Sequence, residues 1–269
     1  MAQRSIREEP GLFGPDSMIW HVNRESVVTL AGTCAILMQF AHPGVAAGVR
    51  DHSRFEQDPA GRLRRTFDLT LAWVFGSRDQ ALDAARVVNR RHDAVQGPGY
   101  SAKDPELLMW VQATLVYSAI RAYRCFVGPL GPAEADAYYQ DTKTIGVLLG
   151  IPGSIYPRTL DELSHYIDGL IADGTVHVGD DARRMGPVIL QPRFPGVPTM
   201  AFTPLKTITV GLLPASLRQQ YGLPWRRSDR LLFACCERLL PSVLRITPKA
   251  IRYLPPARHA YRRLRLEPA

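Results

Sequence analysis

Between Asp104 and Val127 the chain reads DPELLMWVQATLVYSAIRAYRCFV, and no other stretch limits the fold so tightly. Asp104 is placed to cap a helix, and Pro105 occupies the first helical turn, where its missing N–H costs nothing. Apolar side chains then recur around most of the circumference. A helix that is apolar on most sides has to be wrapped by other elements. The chain is therefore expected to form one helical domain around this segment. Its 269 residues, 46% of them hydrophobic, are enough for a substantial core.

Cap and periodicity signals predict further helices on either side. One is expected from Arg24 to Phe40, ending near His42-Pro43 because a residue before proline leaves the helical region. A second runs from about Gly61 to Phe75, with Leu63, Phe67, Leu71, Val74 and Phe75 on one side, and a third follows the capping residue Ser77. Pro132 to Leu148 reads as another, stopped at Gly150-Ile151-Pro152, and Thr159 with Glu162 forms a capping-box pattern. Past Asp173 the texture changes, and the stretch from Pro187 to Pro198 reads as a surface connection or lid. No stretch alternates with period two between turn signals, so the expected class is all-α without a real sheet.

The apolar run from Val27 to Val49 contains Thr29, Thr33, Gln39, His42 and Pro43, which suits a buried core helix better than a bilayer span. The opening MAQRSIREEP is polar and mixed in charge, unlike an export signal, so a cytoplasmic protein is expected. The four cysteines, Cys34, Cys125 and the vicinal pair Cys235-Cys236, show no C-x-x-C spacing and read as reduced thiols rather than a zinc site. Charge is uneven. Residues 226–269 hold eleven basic and three acidic residues, which accounts for the whole formal net charge of +8. This basic C-terminal part, 226–269, suits an anionic membrane surface on the inner face or an acidic partner, with a solvated basic face as the simpler alternative. It carries no nucleic-acid recognition motif or aromatic platform, so nucleic acid is not expected as a partner.

One histidine stands out. Ala81, Ala85, Val88, His92 and Val95 recur at spacings of three and four, and so share a helix face, one turn before Gly97-Pro98-Gly99. An imidazole carried inward at a helix end is placed to ligate a metal or cofactor; the alternative is a core histidine hydrogen-bonded through both nitrogens. In GRLRRT, Arg62, Arg65 and Thr66 share another face, either solvated or a set of donors beside a pocket for an anionic group or bound oxygen. His42 reads as a helix-terminal residue bonding backbone and His52 as a turn residue. Phosphate loops, G-x-S-x-G elbows and Rossmann fingerprints are absent.

QFAHPGVAAGVRDHSRFEQDPAGRLRRTFDLTLAWVFG, then RRHDAVQG, YSAKDPELLMWVQATLVYS and LLGIP, resemble the MpaB-like oxygenase family. That family includes the latex-clearing rubber oxygenases and the fungal oxygenase that shortens a farnesyl chain in mycophenolate biosynthesis. The resemblance covers residues 11–260 and is most specific over 36–120. It implies an all-helical catalytic domain with a globin-like core and haem b, inserting both atoms of O₂ across an isoprenoid double bond. The family's haem-ligating His-x-x-Val is matched by His92 and Val95, and its arginine–lysine–threonine pattern by Arg62, Arg65 and Thr66. Arg65 stands where the rubber oxygenases have a lysine, and a permanently protonated guanidinium cannot serve as a sixth iron ligand. The resemblance thus implies His92 as metal ligand, O₂ opposite it near Arg62, Arg65 and Thr66, and an apolar substrate channel with Trp73, Phe75, Trp110 and Tyr117. The alternatives are a non-catalytic haem- or lipid-binding helical protein at a membrane surface and a helical interaction protein without cofactor.

Overall fold

The computed structural model describes residues 10–53, 59–191 and 198–266. The helices in chain order are α1 Met18–Asn23, α2 Gly32–Phe40, α3 Pro43–His52, α4 Pro59–Phe75, α5 Arg78–Asp93, α6 Pro105–Phe126 and α7 Pro132–Leu148. They continue as α8 Leu160–Ala172, α9 Asp180–Leu190, α10 Thr203–Leu212, α11 Ala215–Gln220, α12 Arg227–Ile246, α13 Lys249–Arg252 and α14 Pro255–Arg263. Three short 3-10 turns, Ser26–Ala31, Gly153–Ile155 and Thr199–Phe202, join some of them. The all-α expectation holds.

At the centre lies α6. The Asp104 carboxylate accepts the Glu106 N–H at 2.8 Å and starts the helix one residue before Pro105, as its sequence predicts. Trp110, Ala113, Ala122 and Phe126 are fully buried, because α2, α7, α8, α10 and α12 pack around the helix. Burying a side chain of that size contributes about 1.5–3 kcal/mol, so α6 is the largest apolar anchor of the domain.

The expected helix from Arg24 to Phe40 is interrupted. After α1 the backbone extends at Glu25, winds as a 3-10 turn over Ser26–Ala31, and becomes α-helical only from Gly32. The cause is a buried carboxylate. Glu25 has no exposed side-chain surface, and Arg252 grips it with two hydrogen bonds of 2.7 Å. The Leu254 N–H donates to the Arg24 carbonyl at 2.9 Å, and Glu25 forms an isolated bridge with Tyr253. An ionised carboxylate enters an apolar interior only when paired, and the extended backbone is what turns it toward its arginine.

Two aromatic donors settle the end of α2. Trp110 Nε1 donates to the Met38 carbonyl at 3.2 Å and Tyr221 Oη to that of Leu37 at 2.7 Å. The chain then turns sharply, and His42 caps α3 by accepting the Gly44 N–H on Nδ1 at 3.1 Å. The backbone role expected of His42 is borne out. His52 ends α3 and contacts the Gln96 carbonyl through Nε2 at 3.1 Å. Among the described residues no single helix is long and apolar enough to cross a membrane; Ser26–Phe40 with Pro43–His52 passes that test only as a pair bent by 103°.

Four local expectations need correction. The all-helical reading missed a small hairpin, β1 Gln96–Gly97 with β2 Tyr100–Ser101, where Pro98 and the left-handed Gly99 (φ +78°) make the turn. Pro187 lies inside α9 rather than in a connection, with Gly186, Ile189 and Leu190 buried; residues 192–197 lie outside the described residues. Thr159 Oγ1 accepts the Glu162 N–H at 3.2 Å, but the Glu162 carboxylate reaches the Arg158 N–H at 2.6 Å, so the capping box closes one residue early. Finally, Gly97-Pro98-Gly99 does not end α5, which stops at Asp93.

Truncating Arg252 to alanine removes both hydrogen bonds to the buried Glu25 carboxylate and leaves it only the Arg24 guanidinium at 3.9 Å. The variant should lose about 3–5 kcal/mol of stability in urea unfolding, whereas Arg252→Ala combined with Glu25→Gln should lose clearly less.

Candidate functional site

The α4–α5 hairpin places the residue singled out by periodicity. Ser77 Oγ accepts the Gln80 N–H at 3.3 Å and Gln80 Oε1 accepts the Ser77 N–H at 2.9 Å, so a reciprocal box starts α5 directly after the turn from α4. Ala81, Ala84 and Ala85 are buried, Val88 packs against the core, and Arg86, Arg90 and Arg91 are exposed. His92 continues the inner stripe in the last turn and is half-buried.

Its ring is the unusual feature. The His92 Nδ1 is buried and has no hydrogen-bond partner among the described residues. The structure therefore does not show a core histidine satisfied through both nitrogens. No other histidine among the described residues has a buried nitrogen without a partner. Burial lowers the His92 pKa, and the Lys103 ammonium lowers it further against the opposing pull of Asp93. Lys103 and Asp93 are themselves ion-paired. The result is a neutral imidazole with an available lone pair, the form that ligates metals. An unpaired buried nitrogen costs about 1–3 kcal/mol, which a ligand there would relieve.

Around this helix end the structure is firmly held. Asn89 Nδ2 donates to the Leu148 carbonyl at 3.0 Å, tying α5 to the end of α7. Tyr100 Oη donates to Asp51 at 2.7 Å, while Arg50 bridges Asp51 at 2.7 Å and Asp181 at 2.5 Å. The Arg50 and Tyr100 hydrogen bonds hold the Asp51 pKa down at about 2.

Arg65 and Thr66 are exposed on α4, and the Arg62 side chain lies outside the described residues. α4 and α5 follow each other across Gly76-Ser77 and pack against one another. Among the described residues no hydrogen bond links Arg65 or Thr66 to the His92 ring.

The four aromatics expected along a channel separate. Trp73 and Phe75 are core residues. Trp110 lines a cavity of about 260 Å³ with His42, Glu106, Met109, Tyr166 and Leu170. Tyr117 lines another of about 230 Å³ with Arg121, Arg124, Cys125 and Ser164. His92 lines neither. The Glu106–Tyr166 wall was not foreseen, since it forms only where α8 meets the first turn of α6. The cysteines behave as expected of free thiols, and burial pushes Cys34 and Cys125 up to about 12, far from a reactive thiolate. Among the described residues no group of three or more His, Cys, Asp or Glu side chains could hold a metal ion. Two arginines of the basic C-terminal part are engaged within the fold, Arg252 with Glu25 and Arg263 with the carbonyls of Phe75 and Gly76.

Comparison with known families bears directly on this hairpin. The model described as "ER-bound oxygenase mpaB/B'/Rubber oxygenase, catalytic domain" matches residues 19–246. The chain belongs to this family. As a member of the mpaB/rubber oxygenase family it has a general oxygenase role, with O₂ and a substrate as partners. The family match runs from α1 to the end of α12 and so contains the whole α4–α5 hairpin, while α13, which carries Arg252, falls outside it. Uncharacterised proteins of Mycobacterium tuberculosis and Mycobacterium bovis are each 31% identical to the chain over 239 residues, covering 80% of it and 87% of the relative. No solved structure matches.

Burial lowers the pKa of His92, and likewise those of His42 and His21. Each stays neutral in the fold but takes up a proton readily once unfolded, so the stability it contributes is present above pH 6.5 and is lost as pH falls below it. Thermal midpoints of the haem-free protein should drop from pH 7 to pH 5, and His92→Gln should flatten that slope.

Proposed function

We propose that this oxygenase is haem b-dependent and cleaves a carbon–carbon double bond of an apolar, isoprenoid or lipid-like substrate, with His92 holding the iron. The observation that carries the reading is the buried, unpartnered His92 nitrogen at the end of an otherwise apolar helix face. When bound, the haem would supply the O₂ chemistry. The overall change balances without a reductant, as one double bond and one O₂ give two carbonyl groups.

The protein's own part is to bind, orient and exclude water. His92 offers an uncharged nitrogen in a desolvated setting, which favours a metal over a proton. Arg62, Arg65 and Thr66, on the neighbouring helix α4, would supply donors suited to an anionic group of the cofactor or to charge that develops during reaction. A globin-like disposition of the helices around the cofactor belongs to this reading. So does a site of action at an anionic membrane surface, where apolar substrates collect; the concentration of positive charge in residues 226–269 supports it. A second reading, a haem or lipid carrier of the same fold, shares the cofactor but lacks turnover.

The protein expressed with a haem precursor should show a Soret band, and His92→Ala should retain at least about tenfold less haem. A haem-loaded His92→Ala with an unchanged spectrum would remove His92 from the ligand role. Oxygen uptake with a panel of isoprenoids separates the two readings, because a Soret band without uptake identifies the carrier.

A further inference from the structure

The helix α12 has two apolar faces, and the body of the protein covers only one. Phe233 is buried, and Cys236, Leu240 and Leu244 pack against the core. Around the helix from them, Leu231, Leu239, Val243 and Ile246 are 68%, 61%, 49% and 85% exposed, with Leu232 and Cys235 exposed between them. Positions 232, 235, 239, 243 and 246 follow the three-and-four spacing of a single helix face. Exposed Ile251 lies just beyond, on α13. Scattered surface leucines are ordinary, but a continuous stripe along most of a 20-residue helix is not.

Charge indicates what meets it. Arg227, Arg238 and Arg245, spaced by eleven and seven residues, fall on one line of the helix beside this stripe. All three are exposed and none makes an ion pair among the described residues. The acidic residues of the helix sit elsewhere, as Asp229 accepts the Arg226 N–H at 2.8 Å and Glu237 lies beside Cys125. In a pairing of two copies along this helix, the arginine rows would meet rows of their own sign. An anionic lipid surface satisfies both features, because acyl chains accept the apolar stripe and phosphate headgroups accept the arginines.

We infer that the exposed face of α12 docks the protein on an anionic bilayer, lying in the plane of the interface rather than crossing it. This deepens the membrane-surface part of the reading above and needs neither haem nor turnover. The test is flotation of the full chain with vesicles of phosphatidylcholine alone and of phosphatidylcholine with phosphatidylglycerol in equal parts. Binding should favour the anionic vesicles and weaken as salt is raised. Leu239→Glu with Ile246→Glu should lower it at least about tenfold, with an unchanged circular dichroism melting curve because both side chains are already exposed. Arg238→Gln with Arg245→Gln should erase the preference for anionic lipid. The proposal is overturned by equal binding to both vesicles, by no binding, by undiminished binding of the glutamate variant, or by a dimer which that variant dissociates. Flotation is read without catalysis, so its failure leaves the oxygenase reading standing, and a haem-free protein that floats leaves the docking proposal standing.

Discussion

A carboxylate with no exposed surface has to find a cation, and in this protein Glu25 finds Arg252, 227 residues away. The consequences reach both ends of the chain. The backbone must extend at Glu25 to present the side chain, which splits one apolar run into a 3-10 turn and α2. The segment around Arg252 is drawn against the start of the domain, where Leu254 bonds to Arg24 and Tyr253 bridges to Glu25. Arg263 on α14 then reaches the carbonyls of Phe75 and Gly76, at the turn from which α5 begins. The C-terminal basic region is thus not of one kind: α13 and α14 supply arginines that hold the fold, and α12 keeps its own for solvent or a surface.

The site depends on the way helix ends are finished. At the end of α2, Trp110 and Tyr221 add a second donor to the Met38 and Leu37 carbonyls, which also accept the Ala41 N–H, and His42 commits its Nδ1 to the next helix. At the end of α5 nothing comparable reaches the imidazole of His92. Two histidines at helix ends therefore have opposite chemistry. One is committed to capping, and the other keeps a buried nitrogen without a partner. That contrast makes His92, and not His42, the residue around which an oxygenase centre is proposed.

Much of the fold could be read from local signals. Asp104-Pro105, Ser77 and Thr159 start helices where their side chains predict, because an N-cap is satisfied by atoms within three residues of it. The inner stripe of α5 was legible for the same reason, since periodicity alone decides which residues share a face. What failed was decided elsewhere in the chain. The break at Glu25 needs Arg252, and Pro187 sits in a helix whose other residues are held by burial. Likewise the two cavities arise where α8 crosses α6, so the expected single aromatic channel resolved into two core residues and two separate walls.

By itself, then, the sequence determined the helical class, the caps, the membership in an oxygenase family, and the face on which His92 lies. All of these depend on neighbours within a turn or two, or on motifs contiguous in the chain. Only the tertiary structure decided that the His92 nitrogen is left without a partner, that Glu25 is buried and paired, and that α12 shows an uncovered apolar stripe. These are statements about what is absent or present across long separations in the chain. Burial and pairing are properties of the packed whole, and no local pattern encodes which polar atoms the packing will satisfy.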